Sequence, residues 1–118
     1  MRAYELMIIF DGDLEEEAVA ASLSKATATI EAEGGRVVSM HDTEPWGRRR
    51  FAYRINNKWE GVYVVLEVVT EANDLATIDR NLRLADRSEV VRHKIISLPD
   101  SEVGRRGLLG EGEPATAD

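Results

Sequence analysis

The segment Gly47-Arg48-Arg49-Arg50-Phe51-Ala52-Tyr53-Arg54-Ile55-Asn56 sets four guanidinium groups within ten positions. Each is a planar fork of donors that matches a phosphate or carboxylate bidentately. The chemistry on offer is therefore anion binding rather than bond making. The same run also fits a solvated edge strand whose charges oppose aggregation, and residue types alone leave both readings open. Further cations fall at Lys58 and at Arg80, Arg83, Arg87, Arg92 and Lys94.

Residues suited to catalysis do not converge. His41 and His93 lie far apart without metal-ligand spacing, and each reads as a surface or packed histidine. Glu15-Glu16-Glu17 resembles a metal cluster but fits better as the acidic first turn of a helix, where the backbone dipole favours anions. The sequence contains no cysteine, no nucleophile elbow, no phosphate-loop glycine run and no HExxH pair. Nothing argues for an enzyme, a cofactor, a metal or a small-molecule substrate.

The 118 residues allow one domain, and the net charge of −7 weighs against nucleic acid when taken as a bulk figure. The charge is unevenly distributed. Residues 1–45 carry a net −7, residues 46–98 a net +3, and residues 99–118 a net −3. No apolar stretch approaches the roughly 18 residues of a membrane span, and the short run ending at Phe10 gives way to Asp11 too soon for a signal peptide. A cytoplasmic protein is the expectation.

The elements that must position the arginines follow from periodicity. Residues 2–10 alternate as a strand, with Tyr4, Leu6, Ile8 and Phe10 on one face. Residues 13–33 read as a helix, with Asp13 and Glu16 as a capping box and Val19, Leu23, Ala26 and Ile30 as its apolar stripe. Residues 36–56 form a strand interrupted at Thr43-Glu44-Pro45, and 56–61 supply a hairpin turn. Val62–Val69 is a strand, 71–85 a helix capped by Thr70 or Asn73, and Val90–Leu98 a last strand closed by Pro99. Residues 99–118, glycine-rich, acidic and poor in large apolar groups, read as a disordered tail behind a domain spanning 1–98.

The order strand, helix, strand, strand, helix, strand predicts an α+β fold, the ferredoxin-like split β-α-β arrangement (βαββαβ). Its four-stranded antiparallel sheet carries two helices on one face. The other face, with Glu5, Met7, Ile9, Tyr63, Val65 and Glu67, is then open to solvent or a partner. Tyr63 is the only aromatic on that face in this reading, so a protein partner suits it better than stacked bases.

The segment 47–56 also resembles the signature of a known family, ribosomal protein six of the bacterial small subunit: Gly, basic residues, an apolar residue, Ala or Ser, Tyr, any residue, Ile, then a polar residue. Arg2-Ala3-Tyr4-Glu5, Gly61-Val62-Tyr63 and Asp79-Arg80-Asn81-Leu82-Arg83-Leu84 ahead of Val90-Val91-Arg92 are similar to further family features, in order over residues 1–98. Phe51 stands where Leu is usual. The resemblance implies a structural, ribosome-associated role. The chain would bind central-domain ribosomal RNA of the small subunit as a heterodimer with ribosomal protein eighteen, a small basic partner that would complement its acidity. Arg2, Arg48, Arg49, Arg50, Arg80, Arg87 and Arg92 are the implied RNA contacts, and Glu5, Met7, Ile9, Tyr63, Val65 and Glu67 the candidates for the protein partner. The competing reading is a dimeric ferredoxin-like enzyme or ligand-binding module that uses the same open face over a pocket.

Overall fold

The computed structural model describes residues 2–42, 47–55, 58–71, 75–86 and 88–108. The elements are β1 (Arg2–Asp11), α1 (Glu16–Ala32), β2 (Gly35–His41), β3 (Gly47–Ile55), β4 (Lys58–Thr70), α2 (Ala76–Leu84), β5 (Val90–Ser97) and α3 (Asp100–Arg106). All strand pairs are antiparallel. The order is β2-β4-β1-β5, with β3 also on β4. β2 pairs with the C-terminal half of β4 and β3 with its N-terminal half, so these two strands share one edge. The fold is thus α+β, with five strands and three helices among the described residues where four and two were expected. The Thr43-Glu44-Pro45 bend, the Asn56-Asn57 turn and the Asn73 cap lie outside the described residues.

Alternation decides which face is buried. Leu6, Ile8 and Phe10 of β1 with Val64, Leu66 and Val68 of β4 form one face, covered by Leu23, Ala26 and Ile30 of α1 and by Ile78 and Leu82 of α2. Burying a large apolar side chain contributes roughly 1.5–3 kcal/mol, so this layer dominates the core. No side chain caps α1, which begins at Glu16 rather than at the expected position after Asp13. Asp13 is engaged elsewhere: its backbone N–H donates to Asp11 Oδ1 at 2.8 Å, while its carboxylate accepts from Lys58 Nζ at 2.5 Å.

The opposite, outer face is less bare than alternation implies. Residues 99–108 do not continue as an open tail. α3 lays Val103 on Ala3, Val69 and Leu98, and Leu108 joins the same cluster. Gly107 adopts a left-handed φ of 68°, which turns the chain so that the Leu108 N–H donates to the Val103 carbonyl at 3.2 Å. At the other end, β3 curls over the sheet and packs Phe51 against Ile9 and Val91.

That packing depends on an absent side chain. A Cβ at Gly61 would sit 2.6 Å from Phe51 Cζ and 3.0 Å from Ile9 Cγ2. Gly61→Ala is expected to destabilise the fold by about 1–3 kcal/mol through overpacking, read as a lower urea midpoint with an unchanged slope. Because the clash is with the far end of the ring, adding Phe51→Leu should recover part of that loss. Strict additivity of the two changes would show that Phe51 does not crowd Gly61.

Candidate nucleic-acid interface

The arginine run lies on β3, held in register by β4: Arg48 opposite Val62, Arg49 opposite Gly61 and Arg50 opposite Glu60. Pairing is irregular between Arg50 and Ile55, and among the described residues β3 pairs with β4 alone. Two contacts fix its angle. Arg48 Nη1 donates to the Gly12 carbonyl at 2.9 Å and lies 3.3 Å from Glu60 Oε1. Lys58 Nζ reaches Asp11 Oδ1 at 3.3 Å and Asp13 Oδ2 at 2.5 Å. Asp11 is buried, so its carboxylate needs such a partner. The Lys58 hydrogen bond in turn holds the Asp13 carboxyl below its usual range.

The three adjacent arginines therefore differ in role. All three are exposed, but Arg48 donates to the Gly12 carbonyl of the β1–α1 turn. Arg49 and Arg50 are exposed and lie over aromatic rings, with guanidinium carbons 6.0 Å from the Tyr63 centroid and 5.1 Å from that of Trp59. Such stacking orders a cation against the ring face.

The other candidates do not all join them. Arg92 is exposed on β5 opposite Ile9, which is itself opposite Tyr63, so Arg92 lies in the same transverse row of the sheet. Lys94, opposite Met7, continues this basic edge. Arg2 pairs with Thr70 at the far end of β1, about 30 Å from the hairpin end at roughly 3.3 Å per residue. Arg80 is exposed on α2, an element of the helix layer. Arg87 lies outside the described residues.

The expected partner face is also redistributed. Ile9 and Val65 are buried, and Met7 and Tyr63 half-buried. Glu67 accepts from Arg106 Nη1 at 2.8 Å and from the Ser39 hydroxyl, with His41 Nε2 3.4 Å away. Glu5 lies 4.0 Å from Arg106. The acidic end of the face is thus covered by the chain's own α3, which corrects the expectation of a fully open face.

Trp59 is the residue the sequence reading misplaces. Assigned to a turn over 56–61, it instead belongs to β4, which begins at Lys58. Strand alternation puts it on the same face as Gly61 and Tyr63. It is 45% exposed, and Tyr53 on β3 is 60% exposed. The signal available in the sequence was the unbroken alternation from Trp59 to Val69.

The histidines make local contacts. His93 Nε2 lies 2.7 Å from Asp79 Oδ1 and links β5 to α2; this bond leads the interactions that lower the Asp79 pKa. Among the described residues no three metal-ligating side chains cluster, and no helix is long and apolar enough to cross a membrane. A cleft of about 310 Å³ opens between α1 and α2, on the helix side of the sheet rather than over its outer face.

Comparison with known proteins adds to this geometry. A family described as Ribosomal protein S6 matches residues 3–97. The small ribosomal subunit protein bS6 of Salinispora tropica is 44% identical over 96 residues, covering 81% of this chain and 95% of the relative. That of Saccharopolyspora erythraea is 37% identical over 117 residues, covering 97% of each. The crystal structure of 30S ribosomal protein S6 from Thermotoga maritima superposes with a TM-score of 0.76 at 25% identity, covering 92% of this chain and 97% of that one. A chain from the Thermotoga maritima complex of the chemotaxis kinase CheA P2 domain with CheY reaches a TM-score of 0.54 at 14% identity, a likeness of fold alone.

The Glu67 cluster generates a pH dependence. Burial raises the Glu67 pKa, but hydrogen bonds from Ser39, His41 and Arg106 outweigh it, and the net shift is downward from 4.5. A depressed carboxylate stabilises the fold above its unfolded value, and that contribution is lost as pH falls through the folded value. Urea unfolding between about pH 6 and pH 3 should therefore show a smaller acid loss in Glu67→Gln than in the parent. Identical acid limbs would remove Glu67 as a source.

Proposed function

The chain belongs to the ribosomal protein S6 family of the bacterial small subunit, and on that premise we propose that it is a structural constituent of that subunit. It binds central-domain ribosomal RNA together with ribosomal protein eighteen during 30S assembly and translation, in the cytoplasm. The family is structural and non-enzymatic. In this reading the sheet follows the ferredoxin-like plan, with β2 and β3 as one interrupted strand.

The observation that carries the RNA assignment is the outward presentation of Arg49 and Arg50 on a hairpin pinned from below by Arg48 and Lys58. Arg92 and Lys94 extend the basic surface across the same face. Preorganised guanidinium groups lose less freedom on meeting phosphate than free side chains do. Arg48 acts here as a positioning residue. Arg2, Arg80 and Arg87 stand as outlying contacts to other RNA segments. The net charge of −7 limits non-specific attraction to phosphate, and a basic partner supplies the remaining neutralisation.

The partner contact centres on Met7 and Tyr63, over a floor of Ile9 and Val65. Glu5 and Glu67 enter it only if Arg106 gives up its present contacts.

The test is binding of the chain, loaded with ribosomal protein eighteen, to a central-domain RNA fragment across a salt series. Arg49→Ala with Arg50→Ala should weaken binding and flatten the slope of log K against log salt by about 1.5, at roughly 0.7–0.9 per phosphate contact. Arg48→Ala should act mainly by lowering stability. An unchanged affinity and slope in the double variant would remove the hairpin from the RNA interface.

A further inference from the structure

We propose that Trp59 and Arg50 form a stacking site for an unpaired RNA base, so that the hairpin recognises single-stranded nucleotides as well as phosphate charge. The inference rests on the RNA-binding reading above and names the class of RNA element the hairpin takes. Trp59 remains 45% exposed although it is a large apolar ring on β4, opposite the irregular stretch of β3. The Arg50 guanidinium lies over the ring, its carbon 5.1 Å from the centroid, so a cation already sits on one face of the indole. Tyr53, 60% exposed, gives the same ribbon a second aromatic surface. Exposed Arg49 and Arg54 supply further positive charge around them.

Aromatic faces set in a local cationic field are the elements of a single-strand surface: the rings stack bases and the cations follow the backbone. Paired bases are already stacked inside a duplex and cannot use such a ring. Trp59 lies four residues from Tyr63, about 13 Å along the strand. The stacking site is therefore separate from the protein contact proposed around Met7 and Tyr63.

The experiment uses the full chain with Trp46→Phe, which leaves Trp59 as the sole indole. Octaadenylate (rA8) and a mixed-sequence RNA duplex of about twelve base pairs, a length close to one helical turn, are titrated at low salt, where phosphate attraction is strongest. The single strand should quench Trp59 emission and bind more tightly than the duplex. Adding Trp59→Ala should weaken rA8 binding about 5- to 150-fold, the range for losing one stacked base. Trp59→Phe should recover most of the affinity, and circular dichroism should show both variants folded. Equal rA8 affinity in the Trp59→Ala variant, absent quenching, or equal preference for duplex overturns the inference. So does quenching by ribosomal protein eighteen alone, which would assign the ring to a protein contact. If the central-domain fragment binds as proposed above while rA8 does not, stacking fails and the RNA reading stands. If neither binds, both fail.

Discussion

The close approach of Phe51 to Ile9 across the bare Cα of Gly61 is the constraint on which the functional half of this structure depends. A two-stranded ribbon projecting from a sheet has few contacts of its own to set its angle. Here the ring folds the ribbon back over β1, Arg48 donates a hydrogen bond to the Gly12 carbonyl, and Lys58, paired with Ile55 at the turn end, makes ion pairs with the Asp11 and Asp13 carboxylates. Gly12 is under the same constraint as Gly61, since a Cβ there would sit 2.6 Å from the Glu60 carbonyl oxygen. Arg49 and Arg50 are both exposed, each over an aromatic ring.

The outer face of the sheet is consequently divided along its length. At one end α3 covers Ala3 and Val69 and places Arg106 among Glu5, Glu67 and Glu102. At the other end the hairpin covers Ile9 and displays cations and aromatics. Between them lie the half-buried Met7 and Tyr63. A surface that reads as uniform from alternation thus has an acidic end neutralised from within, an apolar middle and a basic end. Each region favours a different kind of contact.

The helix-side core was legible because it follows from period alone: Leu6, Ile8 and Phe10 against Leu23, Ala26 and Ile30 are what a period of two facing a period of 3.6 must produce. Interactions between residues distant in sequence were not legible. Asp13 resembles a helix cap until Lys58, 45 positions away, draws its carboxylate. Arg48 is indistinguishable from Arg49 until the β1–α1 turn brings the Gly12 carbonyl beneath it. Val103 and Leu108 are too few to predict a packed segment, and they order only because the face at Ala3 and Val69 was left uncovered. Composition weighed the whole tail, whereas burial acts on the two side chains that reach a surface.

These displaced residues explain how a chain with a net charge of −7 can still present exposed arginines on β3 and β5. Its acids are not simply placed elsewhere. Asp11 and Asp13 hold Lys58, Glu60 meets Arg48, and Glu67 with Glu102 holds Arg106, so several carboxylates act by fixing the position of a cation. A cation held this way contributes little to binding phosphate, because its nearest charge is already opposite. The arginines set over aromatic rings are in a different condition, since a π face attracts the guanidinium without neutralising its charge. The partner for each arginine, rather than the sum of charges, decides where this protein can meet an anion.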